Sequence, residues 1–92
     1  MSVQIHLTLI GRANCHLCEV AAGELARVIG RFSAEYPSVS YVVEDLDVDS
    51  DPELLQKYSD EVPVLLLNGR QVSFFRIDAE RVFAQLVAIL EG

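Results

Sequence analysis

Positive charge is scarce in this sequence. Seven Lys and Arg stand against fourteen Asp and Glu, a formal net charge of -7, and an acidic protein is repelled at long range by phosphate backbones and anionic lipid surfaces. Nucleic acid and membrane are therefore not expected as partners. Long apolar runs are missing as well: the start, MSVQIHLTLIG, carries polar residues through its apolar stretch and has none of the basic residues that open an export signal. The expected location is cytoplasmic. Repeats, linkers and low-complexity segments are also absent, so the 92 residues are read as one domain, 1–92. A chain of this length buries roughly 60 to 65% of the surface its unfolded form exposes, so nearly every element has to contribute to a single core.

Cysteine is scarcer still, with Cys15 and Cys18 the only two in the chain. In a reducing compartment a fixed structural disulfide is not expected, so a close pair is read as catalytic, redox-sensing or metal-binding. Histidine is equally rare, His6 and His16 being the whole supply. A closed zinc site needs four ligands. Because His6 falls inside a strand pattern, such a site would need a second chain. The acidic run EDLDVDSDPE lacks the glycine and the distant glutamate of a calcium-binding EF-hand loop and is read as a solvated loop with a helix cap. No metal ligands are assigned.

What the chain does have is clear periodicity. Val3, Ile5, Leu7 and Leu9 alternate with Gln4, His6 and Thr8, the period of a strand with one apolar face, and Gly11 ends it. From Leu17 the positions Leu17, Ala21, Leu25, Val28 and Phe32 form one helical stripe, with Asn14 placed to cap the helix and Pro37 beyond its end. A second strand is expected from Val39 to about Glu44, with Val39, Tyr41 and Val43 on one face. A short helix ending near Tyr58 follows. Its start has two candidate signals, a capping box of Ser50 with Glu53 and the competing Asp51 before Pro52. VPVLLLNGRQVSFF reads as a hairpin turning at Asn68-Gly69, the pair favoured in a type I′ turn because both positions need positive φ. Finally Asp78 can cap a helix carrying Val82, Phe83, Leu86, Val87 and Leu90 on one side.

The order is thus β-α-β-α-β-β-α, which predicts an α/β fold built on one four-stranded mixed sheet. The first two strands are parallel through a right-handed crossover and the last two antiparallel. Cys15 and Cys18 fall where the first strand turns into the first helix, the spacing and context of a thioredoxin-like redox site.

With CHLC at 15–18, VPV at 62–64 and this order of elements, the chain resembles the glutaredoxin branch of the thioredoxin fold over nearly its whole length. The similarity is greatest to the short bacterial glutaredoxin-like proteins with Cys-His-Leu-Cys. The resemblance implies a cis Pro63 facing the cysteines, and Val62 offering its backbone to an extended substrate. It further implies that Arg12 stands where glutaredoxins often hold a lysine for the glutathione carboxylate, and Asp78 where they have an acidic residue at the start of the last helix. Phe75-Arg76 replaces the family's Gly-Gly, whose lack of side chains lets backbone approach glutathione. The expectation is therefore no bound cofactor and glutathione as a poor co-substrate.

Cys15, at the first turn of the helix, is assigned as nucleophile because unpaired N–H groups and the positive dipole end favour a thiolate there. Cys18 is the resolving thiol. On mild oxidation the two are expected to form an intramolecular disulfide. His16 is a candidate to lower the thiol pKa or to shuttle a proton. The expected function is thiol-disulfide exchange by a monomer on a disulfide-containing protein or a small thiol substrate, recycled by an unidentified reductant. The alternatives are a redox-gated interaction domain and a metal-binding thiol module.

Overall fold

A computed structural model describes residues 4–91. Strand β1 runs Gln4–Gly11, helix α1 His16–Glu35, strand β2 Ser40–Asp47, and a single 3-10 turn over Val48–Ser50 leads into α2, Pro52–Tyr58. Strands β3, Val64–Leu67, and β4, Arg70–Phe74, precede the last helix α3, Ala79–Glu91. The sheet order is β2-β1-β3-β4, with β1 and β2 parallel and the other neighbours antiparallel. This is the α/β architecture expected from the periodicities. Val3, assigned above to the first strand, lies outside the described residues.

The alternation in β1 sorts its side chains between two layers. Ile5, Leu7 and Leu9 meet Leu65 and Leu67 of β3 and the stripe Ala21, Leu25, Val28 and Phe32 of α1, while Val82 and Leu86 of α3 close the same core. Apart from Ala21, each of these side chains contributes about 1.5–3 kcal/mol by leaving water. On the opposite face Ile10, Val48 and Val64 form a smaller cluster with Leu54 and Tyr58 of α2 packed against it. Helices α1 and α3 are further joined by Arg31, whose guanidinium lies 3.8 Å from the Phe83 ring centroid and 3.3 Å from Glu80.

Three local readings are refined. Leu17 is 41% exposed and leaves the α1 stripe, because it sits in the first turn, past the end of the sheet that covers the later positions. Strand β2 continues to Asp47, three residues beyond the expected Glu44, since its backbone stays in register with β1 as far as Gly11↔Asp47 while its acidic side chains remain in solvent at the sheet edge. Of the two candidate starts for α2, Asp51 is the one used: its carboxylate accepts from Glu53 N at 2.8 Å, whereas the Ser50 hydroxyl donates to Asp47 O.

The hairpin follows the expected turn chemistry. Asn68 and Gly69 have φ of 51° and 84°, both in the left-handed region that a type I′ turn requires. Pairing then slips by one residue, from Leu66↔Gln71 to Leu65↔Ser73, so that Val72 is the extra residue of a bulge.

Candidate active site

Three chain segments meet at one end of the sheet. Strand β1 delivers Gly11 and the turn that carries Cys15. Ile10 is in register with Val64, so Pro63, one residue before Val64, comes beside the end of β1. Val64 in turn pairs with Phe74, which brings Phe75 and Arg76 to the same end. The peptide between Val62 and Pro63 is cis, as the resemblance implied, and Pro63 is buried.

Helix α1 begins at the cysteines themselves. Asn14 adopts φ of 58°, a left-handed conformation that asparagine tolerates better than most residues, and turns the chain instead of capping it. Cys15 is the N-cap: its backbone is extended, and its Sγ accepts a hydrogen bond from Cys18 N at 3.1 Å. One of the orphan N–H groups of the helix start therefore points at the sulfur assigned as nucleophile, where it favours negative charge. Cys15 and Cys18, both half-buried, are joined by a disulfide with their Cα atoms 5.2 Å apart. Among the described residues no group of three or more His, Cys, Asp and Glu is placed to hold a metal. His6 lies five positions back along β1 from Gly11, roughly 17 Å away at the rise of a strand.

Beside the disulfide runs a groove of about 470 Å³, lined by His16, Leu17 and Val20 of α1 and by Phe75, Arg76 and Ile77 of the loop before α3. Its apolar wall is open, with Leu17, Val20 and Phe75 41%, 47% and 45% exposed, and His16, Glu24 and Arg76 add polar groups to the lining. Phe75 has φ of 64°, unusual for a residue with a side chain, and its N–H donates to Pro63 O at 2.8 Å and to Glu61 O at 3.2 Å. The backbone conformation that suits glycine is thus kept, with a phenylalanine side chain on it.

The structure brings Cys15, Cys18, His16, Val62 and Pro63 to this end of the sheet and gives the two remaining candidates partners of their own. Arg12 grips Asp49 through Nε and Nη2, at 3.2 and 3.0 Å, and reaches Ser59 O at 3.4 Å. That hydrogen bond, with the nearby charge, pulls the Asp49 pKa below and pushes the Arg12 pKa above their ordinary values. Asp78 caps α3 by accepting from Arg81 N at 3.3 Å.

Two residues escaped the sequence reading. Asp49 is the partner of Arg12 across 37 positions, which no local pattern reveals. Gly11 was read as a strand end; a Cβ built there would meet Cys18 Sγ at 3.2 Å and Cβ at 3.3 Å. The one available signal was a glycine four residues ahead of the first cysteine.

Comparison with known proteins places this geometry in context. The family model described as glutaredoxin-like domain (DUF836) matches residues 6–87. An uncharacterized protein of Mycobacterium tuberculosis is 30% identical over 81 residues, 85% of this chain and 78% of that one. A glutaredoxin-like protein of Dictyostelium discoideum is 23% identical over 88 residues, covering 94% and 79%. Among solved structures, a structural-genomics target from X. campestris aligns with a TM-score of 0.67 at 32% identity, covering 89% of this chain and 96% of that one. Thioredoxin 1 of Thermosipho africanus aligns at 0.60 and 18% identity over 94% of each chain, a likeness of fold.

Proposed function

Because this chain belongs to the glutaredoxin-like domain (DUF836) family, we propose that it is a dithiol-disulfide oxidoreductase, acting in a reducing compartment on polypeptide disulfides in preference to glutathione. In the reduced protein the Cys15 thiolate attacks one sulfur of a substrate disulfide. A bond forms between Cys15 and that sulfur, the substrate's own S–S bond breaks, and its second sulfur leaves as a thiolate that takes up a proton. Cys18 then loses its proton to solvent and attacks Cys15 Sγ, which expels the first substrate sulfur. Two electrons have passed to the substrate, now two thiols, and the protein holds the Cys15–Cys18 disulfide. An external thiol reductant returns two electrons, and one proton taken up at Cys18 restores the starting pair of Cys15 thiolate and Cys18 thiol.

The observation that carries this reading is the N-cap role of Cys15, whose sulfur receives the Cys18 N–H at 3.1 Å at an open end of the sheet. No helix among the described residues is long and apolar enough to cross a membrane. Substrate preference is supported by the groove, where Leu17, Val20 and Phe75 present apolar surface suited to the side chains flanking a cysteine in an extended peptide. Against glutathione stand the Phe75 ring and the net charge of -7, which repels an anionic tripeptide. Arg12, which the resemblance would assign to a substrate carboxylate, already holds Asp49.

Insulin reduction driven by a small dithiol tests the proposal. The parent protein is expected to accelerate it, Cys15→Ser to fall to background, and Cys18→Ser to lose turnover with polypeptide disulfides. A parent protein that does not exceed background would refute the oxidoreductase and leave a redox-gated interaction domain.

A further inference from the structure

We propose that Gly11 is a positioning residue for the resolving thiol, its missing side chain being the space into which Cys18 Sγ must settle for the disulfide to close. The inference rests on the reading of Cys18 as the resolving thiol. Gly11 is the last residue of β1, and its φ lies outside the left-handed region, so its backbone makes no demand for glycine. The demand comes from Cys18. A methyl group at Gly11 would stand 3.2 Å from Cys18 Sγ and 3.3 Å from its Cβ, both shorter than the ordinary contact range of 3.4–4 Å.

Neither neighbour yields easily. The Cβ is carried by the first turn of α1, which is anchored by Glu19 N donating to Cys15 O at 3.1 Å and by the buried Ala21 one turn on. The sulfur is tied to Cys15 in the closed form. In the dithiol or the mixed disulfide that tie is absent, and rotation about the Cα–Cβ bond can carry Sγ away from an added methyl. A side chain at Gly11 therefore disfavours the closed disulfide, and the ring-closing transition state that resembles it, more than the open states. Attack by Cys15 on the substrate precedes ring closure and does not involve this space.

The two steps are separated by a chromogenic aromatic disulfide that releases one coloured thiolate at each exchange. The first release reports Cys15 joining the reagent sulfur. The second reports Cys18, its proton given to solvent, displacing that sulfur from Cys15. With the reduced protein, Gly11→Ala is expected to leave the first phase within about twofold of the parent and to slow the second about three- to tenfold, since the sulfur has to give by a few tenths of an ångström and a full ångström of misplacement costs about a hundredfold. Its disulfide should also be reduced by a dithiol at a correspondingly lower reductant concentration. Unchanged phases, or phases that fall together, would overturn the proposal. A parent that releases a single thiolate would refute the dithiol mechanism and this inference with it. If Gly11→Ala does not fold, Gly11→Ala with Cys18→Ala decides: recovery of the fold supports the clash with the sulfur, and failure of both variants overturns it.

Discussion

Arg12 Nη2 lies 3.0 Å from Asp49 Oδ1, and the pair joins the turn that bears the cysteines to the 3-10 turn after β2. The Asp49 pKa is lowered chiefly by this hydrogen bond. A carboxylate whose folded pKa lies below its unfolded value, about 3.9, adds stability that is complete above that value and disappears as pH falls through the folded pKa. Asp49→Asn should therefore lower the melting temperature equally at pH 7 and pH 5.5, with the difference closing only below about pH 4. Both side chains are substantially exposed, so the effect should be small and should shrink in high salt. Thermal unfolding followed by circular dichroism checks this, and a difference that closes between pH 5.5 and 7 would contradict it.

The roles of the cysteines are separable by alkylation. Cys15 should react first with iodoacetamide, at a pH where an ordinary thiol, of pKa about 8.5, is mostly protonated. Cys18→Ser should accumulate mixed disulfides with a polypeptide substrate and Cys15→Ser should not. Faster labelling of Cys18 in peptide mapping would reverse the assignment.

Phe75 tests strain against bulk. A non-glycine residue at positive φ costs of order 1–3 kcal/mol, so Phe75→Gly, which relieves that strain, should be more stable than Phe75→Ala, which loses the ring contact with Phe74 and keeps the strain. Denaturant unfolding gives the order directly. Changing both Phe75 and Arg76 to glycine should raise glutathione-dependent turnover from its low parental level. Robust activity of the parent in a glutathione-coupled assay would remove the case for steric exclusion.

At the other end of the sheet, Gly69→Ala should cost about 1–2 kcal/mol because the turn holds this residue at positive φ. Asn68 steadies the same turn, its Oδ1 accepting from His6 N at 2.8 Å. The rate of Cys15 alkylation should be unaffected, since strand pairing separates the turn from the cysteines along β1. A comparable loss in alkylation rate would show that the two ends of the sheet are coupled.

The element order, the turn at Asn68-Gly69 and the position of both cysteines at a strand-to-helix junction were all legible in the chain. They depend on periods of two and 3.6 and on the backbone preferences of single residues, and these operate over a few neighbours. Reading was weakest at the helix starts. Asn14 was the expected cap of α1, but its left-handed turn passes the cap to Cys15; Ser50 and Asp51 each could open α2, and Asp51 prevailed.

Beyond those preferences, the site depends on contacts between elements remote in sequence. Arg12 finds Asp49 because β2 runs parallel to β1 to its last residue, which returns the acidic segment to the cysteine turn. Phe75 is held over the end of β3 by its N–H to Pro63 O, and that bond, together with the reversal into α3, sets its left-handed backbone. The contact between Gly11 and Cys18 that matters most to closing the disulfide appears nowhere in the local pattern: Gly11 reads as an ordinary strand end until the first turn of α1 folds back over it. Composition and periodicity act through each residue's own preferences, whereas the space left for a sulfur is a property of two packed surfaces, and no single residue carries it.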